Sequence, residues 1–303
     1  MDINGQILCF GEILWDVLPD KKAPGGAPMN VALHLKKFGM NVKFLSRIGN
    51  DPLGQELKDY LDSIAFKKYF LQEDSNHPTG TVQVDLSDSN DPKYDIVFPT
   101  AWDYIEMTDD LKQIADESEI IVYGSLASRN EVSRKTLQEI LDNHNNYNVL
   151  DINLREPHYT KERIEFLMNK ADLVKMNEEE LNILAGWFTD KSNMEEEEQV
   201  KSLSATFDYP VVCVTKGENG AALLYEGGYY RHPGYKVKLK DAVGSGDAFL
   251  AALLHGYLAK YPPEKILSYA CATGAYVASK SGANPDYDLE QIEKIMIDNH
   301  IQT

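Results

Sequence analysis

The chain has 303 residues, 43% hydrophobic and 26% charged, enough apolar material for a sizeable core and for one large domain, or one domain with a small appendage, across residues 1–303. Thirty Lys and Arg against 48 Asp and Glu leave a formal charge of −18, a poor starting point for wrapping a polyanion, which makes nucleic acid an unexpected partner. A phosphate-bearing ligand must then be gripped by local devices: backbone amides, helix N-termini, a few cations.

The opening segment MDINGQILCFGEILWD has no basic stretch ahead of a long apolar core, and no window reaches the ~18 apolar residues of a membrane span. A cytosolic protein with no membrane partner is expected. Cys9, Cys213 and Cys271 are far apart, and Cys9 and Cys213 lie in apolar runs, so neither a disulfide nor a zinc site is predicted.

In chain order, the first apolar run, Ile7–Phe10, reads as a buried strand. LWDVLPDKKAPGG (14–26) follows as an extended piece whose prolines forbid a continuous helix, with Asp16 just after the strand. APGGAPMNVALHLKKFG (23–39) brings two glycines into a helix with Val31, Leu35 and Phe38 on its inner face and Gly39 as terminator. Asn30 falls in its first turns. Asn30 is either satisfied locally by backbone or, with Asp16, supplies the amide and acceptor that bind vicinal hydroxyls; a sugar suits that pair.

Val42–Ile48 is a second buried strand, and Leu53, Leu57 and Leu61 have the spacing of a helix. GTVQVDLSDSNDPKYDIVF (80–98) reads as two alternating strands around a polar loop, a hairpin expected to join the 14–26 piece in a small sheet. Glu119–Tyr123 is a strand, Thr136 and Ile140 mark a helix, and Asn148–Asp151 is again a strand. Strict alternation would aim Asp151, Asn153 and Arg155 the same way at its C-terminal end, where open α/β sheets bind ligands.

Leu173–Met176 ends in Asn177 and Glu180, which taken locally are an acid-rich helix start. NMEEEEQV (193–200) reads as a solvated helix face or a loop, with no function attached. Val211–Thr215 runs into the Lys-Gly-Glu-Asn-Gly turn of an ordinary hairpin. In DAVGSGDAFLAALLHGYL (241–258), helical spacing from Asp247 onward puts Gly244, Ser245 and Gly246 at a helix N-terminus, where exposed amides and the helix dipole favour an anion. There Asp247 fits equally a helix cap and a general base beside a phosphoryl group. The third glycine of a dinucleotide fingerprint is missing, which disfavours a dehydrogenase. Seven histidines show no metal-ligand spacing. Strands alternating with helices predict an α/β layered fold.

Taken together, Gly25-Gly26-Ala27-Pro28-Met29-Asn30 and Asp241-Ala-Val-Gly-Ser-Gly-Asp247-Ala-Phe resemble the two signatures of the ribokinase/PfkB carbohydrate kinase family, in the family's order and separation. Asn177-Glu-Glu-Glu180 looks like its N-x-x-E motif, and Thr215-Lys-Gly-Glu-Asn-Gly220 like its nucleotide loop. The resemblance covers nearly the whole chain. It implies a Rossmann-like three-layer α/β/α body with a small β lid over the sugar, formed here by about 14–24 and 80–99. It makes Asp247 the base, with the amides of Gly244, Ser245 and Gly246 as the anion hole. Asp16, Gly26 and Asn30 would hold the sugar, with Asp151, Asn153 and Arg155 near it or the phosphates. The nucleotide, ATP, would meet Asn177, Thr215, Lys216, Gly217, Gly220, Gly246 and Cys271, and Glu180 would hold Mg²⁺ through water.

A monovalent cation such as K⁺ would take Asp241, carbonyls of Val243, Val277, Lys280 and Gly282, and Asp286. Val243 replaces the family's usual threonine and removes a hydroxyl from that set. GGAPMNVA, YGSLASR and DINLREPHY resemble fructokinase segments, which implies transfer to D-fructose, giving fructose 6-phosphate. Kinases of the same fold acting on 2-keto-3-deoxygluconate, ribose or a nucleoside are the alternatives. A catalytically inactive sugar-binding protein is another, although such a protein has no need of Asp247. The exposed edge of the small sheet would suit a second copy, a homodimer through the lid.

Overall fold

The computed structural model describes residues 5–67, 69–85, 93–143, 146–191 and 194–300. Its centre is a nine-stranded sheet in the order β13-β12-β11-β10-β9-β8-β1-β4-β5. The strands are β1 (Ile7–Phe10), β4 (Val42–Gly49), β5 (Tyr69–Asp74), β8 (Ile120–Gly124), β9 (Tyr147–Asp151), β10 (Leu173–Asn177), β11 (Val211–Thr215), β12 (Ala221–Tyr225) and β13 (Gly228–His232). Pairing is parallel from β5 to β11, and the β11-β12-β13 edge is antiparallel. The inner strands β1 and β8 are buried throughout, as a sheet covered on both faces requires.

Helices cover each face. Val31 of α1 (Ala27–Lys37), Leu57 of α2 (Pro52–Ser63), Leu250 of α8 (Ser245–Leu258), Ile266 of α9 (Pro263–Ala278) and Ile292 of α10 (Leu289–His300) belong to one core. Leu111 of α3 (Asp109–Asp116), Leu137 of α4 (Glu131–Asn143), Ile164 of α5 (Lys161–Met168), Leu181 of α6 (Glu178–Phe188) and Val200 of α7 (Glu196–Phe207) belong to the other. This is the three-layer α/β/α body that the alternation and the resemblance led us to expect. Helix α8 is apolar nearly all round, and every residue from Ala248 to Leu254 is buried, so it is the inner helix of its layer.

The extended pieces form a second sheet, β3-β2-β6-β7: β3 (Lys22–Gly25), β2 (Leu14–Val17), β6 (Gly80–Asp85) and β7 (Lys93–Ile96). Strand β2 pairs parallel with β6 and antiparallel with β3. Leu14, Val82, Ile96, Trp102 and Leu126 make its own small core. The polar loop expected between β6 and β7 falls on residues 86–92, outside the described residues. Asp16 follows β1 in the chain, as expected, and itself lies within β2. Strands β5 and β13, at opposite edges of the large sheet, carry mixed polar and aromatic sequences that have no clean period, which hides them from a reading by pattern. Among the described residues no helix is long and apolar enough to cross a membrane.

Candidate active site

The C-terminal ends of β9 and β10 and the N-termini of α1 and α8 come together on the side where parallel α/β sheets form a ligand crevice at their strand ends. Asn30 and Asp247, 217 residues apart, meet there. The Asn30 amide Nδ2 donates to Asp247 Oδ2 at 2.8 Å. Asn30 Oδ1 in turn accepts from Asn284 Nδ2 at 2.7 Å, which fixes the side of the amide that faces the carboxylate. Asn30 is therefore not satisfied by backbone alone.

Asp247 falls in the first turn of α8 but does not cap it: the cap position is Gly244, at φ 76, with no side-chain cap bond. Glycine is needed at 244 because a Cβ there would lie 2.5 Å from Ala283 Cβ, in a left-handed conformation. Burial and the charge of Asp151 push the Asp247 carboxyl up to about 6, opposed by the Asn30 amide, Lys175 and Arg155. A buried carboxylate whose affinity for a proton is raised, in the first turn of a helix opened by glycines, has the chemistry of a proton acceptor.

The other expected groups fall around this pair. Gly26 has φ 117, and a Cβ there would lie 2.3 Å from the Glu12 carbonyl oxygen, so this glycine lets the chain pass into α1 at close quarters. Asp16 is raised to about 6 by burial and by the charge of Asp241. Asp151 closes β9, but the alternation proposed for Asp151, Asn153 and Arg155 fails beyond it. The strand ends at Asp151 and Asn153 turns the chain at φ 42, leaving Arg155 exposed on the following loop. Arg155 still reaches Asp247 and Glu12 electrostatically.

Asn177 and Glu180 cap α6 reciprocally: Glu180 N donates to Asn177 Oδ1 at 2.9 Å and Asn177 N to Glu180 Oε2 at 2.8 Å. Glu180 Oε1 also accepts Leu154 N at 2.8 Å, so this buried carboxylate ties α6 to the loop after β9.

At the end of β11, Thr215 leads into a turn closed by Lys216 N to Gly220 O at 2.8 Å, with Gly217 at φ 54 and Gly220 at φ 84. A Cβ on Gly220 would lie 2.0 Å from the His232 carbonyl. Lys216 Nζ meets Glu196 Oε1 at 3.2 Å, and Tyr229 OH donates to the same oxygen at 2.7 Å. The acidic run read as a solvated face thus begins a helix whose first residue anchors this loop. Cys271 is 6% exposed in the core beside it, its thiol pushed up to about 12 by burial. Asp241 gathers the remaining loops, accepting Val243 N at 3.1 Å and Gly282 N at 3.0 Å. The Val277 carbonyl accepts Lys280 N at 2.9 Å, and Asp286 acts on Lys37 and Tyr60.

Three residues of this crevice escape a reading by motif. Lys175, on β10, donates to both carboxylate oxygens of Asp151 at 2.9 Å. Glu12, 3% exposed, has Oε2 without a hydrogen-bond partner and is pushed up to about 7 by burial and the Asp247 charge. Asn284 orients Asn30. A charge inside an apolar run, as in ADLVKMN and CFGEILW, is the signal that points to the first two.

Residues 7–289 match the family described as pfkB family carbohydrate kinase. The fructokinase of Escherichia coli is 28% identical over 301 residues, covering 93% of this chain and 95% of that one. A double-mutant fructokinase of Vibrio cholerae, solved with fructose, ADP and potassium ion, superposes with a TM-score of 0.82 at 26% identity over 98% of this chain and 99% of that one. A sugar kinase of Pyrococcus horikoshii solved with ATP gives 0.79 at 25% identity, over 95% and 99%. With both signatures meeting in one crevice and the family match running through almost the whole sequence, this chain belongs to the pfkB family of carbohydrate kinases and is a sugar kinase.

Proposed function

We propose that the protein transfers the γ-phosphoryl group of ATP to D-fructose, giving fructose 6-phosphate, in the cytoplasm. The observation that carries this reading is the Asn30–Asp247 contact, which joins the glycine-rich start of α1 to the anion-binding start of α8 around a carboxyl raised to about 6. The fructokinase names of the E. coli and V. cholerae relatives support fructose as acceptor.

In this reading Asp247 takes the proton of the attacking hydroxyl, and the amides of Gly244, Ser245 and Gly246 receive charge on the transferring phosphoryl. Asp16, Gly26 and Asn30 orient the sugar, with Asp151, Asn153 and Arg155 beside the reacting groups. Asn177, Thr215, Lys216, Gly217, Gly220 and Gly246 line the nucleotide, with Cys271 behind them. Among the described residues there is no cluster of three or more His, Cys, Asp or Glu able to hold a metal ion. Mg²⁺ would be carried by the triphosphate and met through water by Glu180, whose oxygens accept two backbone amides. The loops joined by Asp241, with carbonyls of Val243, Val277, Lys280 and Gly282 and with Asp286 nearby, would take K⁺. The four-stranded sheet, about 14–24 and 80–99, serves as a lid on the single domain 1–303, and its outer edge as a dimer contact.

An ATP-coupled assay at fixed Mg²⁺ and K⁺ against fructose, ribose, 2-keto-3-deoxygluconate and adenosine tests the acceptor. Fructose is expected to dominate; another winner removes the substrate assignment and leaves the kinase. Asp247→Ala should lower kcat by about 10²–10⁴-fold while calorimetry still detects sugar binding, and retained turnover would remove Asp247 as the base.

A further inference from the structure

Lys175 lies in a strand whose neighbours Leu173, Val174 and Met176 are fully buried, and it is itself only 7% exposed. A lysine is rarely placed there without a partner. Its partner is opposite in register on β9: Asp151, both of whose oxygens accept from Nζ at 2.9 Å. A Cβ on Gly246 would lie 3.5 Å from Nζ, so the ammonium is directly beneath the turn that opens α8. Asp247 is the next residue. Burial opposes the lysine's charge, but Asp151, Glu180 and Asp247 together outweigh it and hold the ammonium above its ordinary range.

A buried pair kept for stability alone is replaceable by apolar groups, often without loss. This one is placed where its charge acts on a reacting group. The groups facing Asp247 are Glu12 from the turn after β1, Asn30 on α1, Asp151 on β9, Arg155 on the next loop and Lys175 on β10. Of the charged groups on the β9–β10 side, Asp151 acts most strongly and disfavours the ionised form, whereas Lys175 and Arg155 oppose it and favour that form, and Arg155 is exposed to solvent.

We infer that Lys175 is a positioning residue for phosphoryl transfer: clamped by Asp151 beneath the Gly246 turn, it supplies the fixed positive charge that keeps Asp247 ionised and able to accept a proton. This rests on the reading of Asp247 as the base, so the test separates the two.

The chain without ligands is labelled with ¹³C at aspartate Cγ, and the Asp247 signal is assigned from its loss in Asp247→Asn. Lys175→Met should raise the Asp247 midpoint by about one unit or more, and Asp151→Asn should lower it. An Asp247 midpoint that stays at the wild-type value in Lys175→Met overturns the inference. Glu12 titrates close by, so the series is repeated in Glu12→Gln to remove the coupling. Should Lys175→Met fail to fold around an unpaired Asp151, the double variant Asp151→Asn/Lys175→Met is compared with Asp151→Asn. A higher midpoint in the double variant supports the inference, and an equal one overturns it. The acid limb of kcat/KM for fructose should move with the midpoint. A wild type that phosphorylates no acceptor would remove the kinase chemistry at Asp247, whereas an active wild type with an unmoved midpoint would remove Lys175 from it.

Discussion

Two buried ion pairs, built from the same kinds of charge, are finished in different ways. Arg129 and Asp103 lie at the foot of the small sheet with side chains 2% and 0% exposed. Arg129 spreads its fork over Asp103 Oδ1 at 2.7 Å, Asp103 Oδ2 at 2.8 Å and the Val97 carbonyl at 2.7 Å, with its guanidinium 4.0 Å from the Trp102 ring centre. Asp103 also accepts the Thr100 amide at 2.9 Å. Among the described residues Lys175 bonds Asp151 alone, and three carboxylates share its field. A planar, fully engaged guanidinium makes a closed joint, and a compact ammonium leaves field to act on its neighbours. The first pair fastens the end of β7 to the body. The second, in our proposal, acts on Asp247.

That contrast can be broken most forcefully at Arg129. Arg129→Met strands a carboxylate with no exposure and should lower stability by about 3–5 kcal/mol, read as a fall in the denaturant midpoint. It should leave the titration of Asp247 where it was; a displaced Asp247 midpoint would mean that both pairs feed the same site and the contrast is false.

Glu12 sharpens the comparison from the other side, as a buried carboxyl with no cation bonded to it. Its folded value of about 7 lies above the ordinary 4.5, so the folded chain holds this proton more tightly than the unfolded chain. Stability contributed by the proton is complete below about pH 4.5 and is lost as pH rises through 7. Glu12→Gln removes that loss. Relative to wild type, the variant should gain on the order of 2–3 kcal/mol between pH 4 and pH 8. Parallel stability curves for the two proteins across that range would show that Glu12 is ionised in the fold at no cost.

The smallest effect belongs to the partly exposed pair at the nucleotide loop. Glu196→Gln loosens Lys216 and Tyr229 and should cost less than about 1 kcal/mol in stability, or at most about fivefold in KM for ATP. A larger rise in KM would mean that the acidic start of α7 does more than hold the loop.

The turn at 244–246, its helix and the glycine at 26 were legible because each leaves a local mark: glycine where φ is positive, then apolar spacing that names the helix face. The alternation drawn through Asp151, Asn153 and Arg155 misled because period-2 reasoning holds only inside a strand, and β9 stops at Asp151. The acidic run at 193–200 looked solvated because its first helical glutamate finds its partners on β13 and in the turn after β11, both more than 19 residues away.

The sequence by itself determined the layered α/β order, the two glycine-rich helix entries and the residue types of the crevice, since local sterics and hydrophobic period are written in neighbouring residues. Only the tertiary structure decided that Asn30 would face Asp247 and that Asn284 would hold it there. The same holds for Lys175, whose charge lies under Gly246 because β9 and β10 pair with Asp151 opposite it. Strand register and the docking of α1 and α8 on one sheet are set by long-range packing, and buried charges take their values from whatever that packing brings beside them.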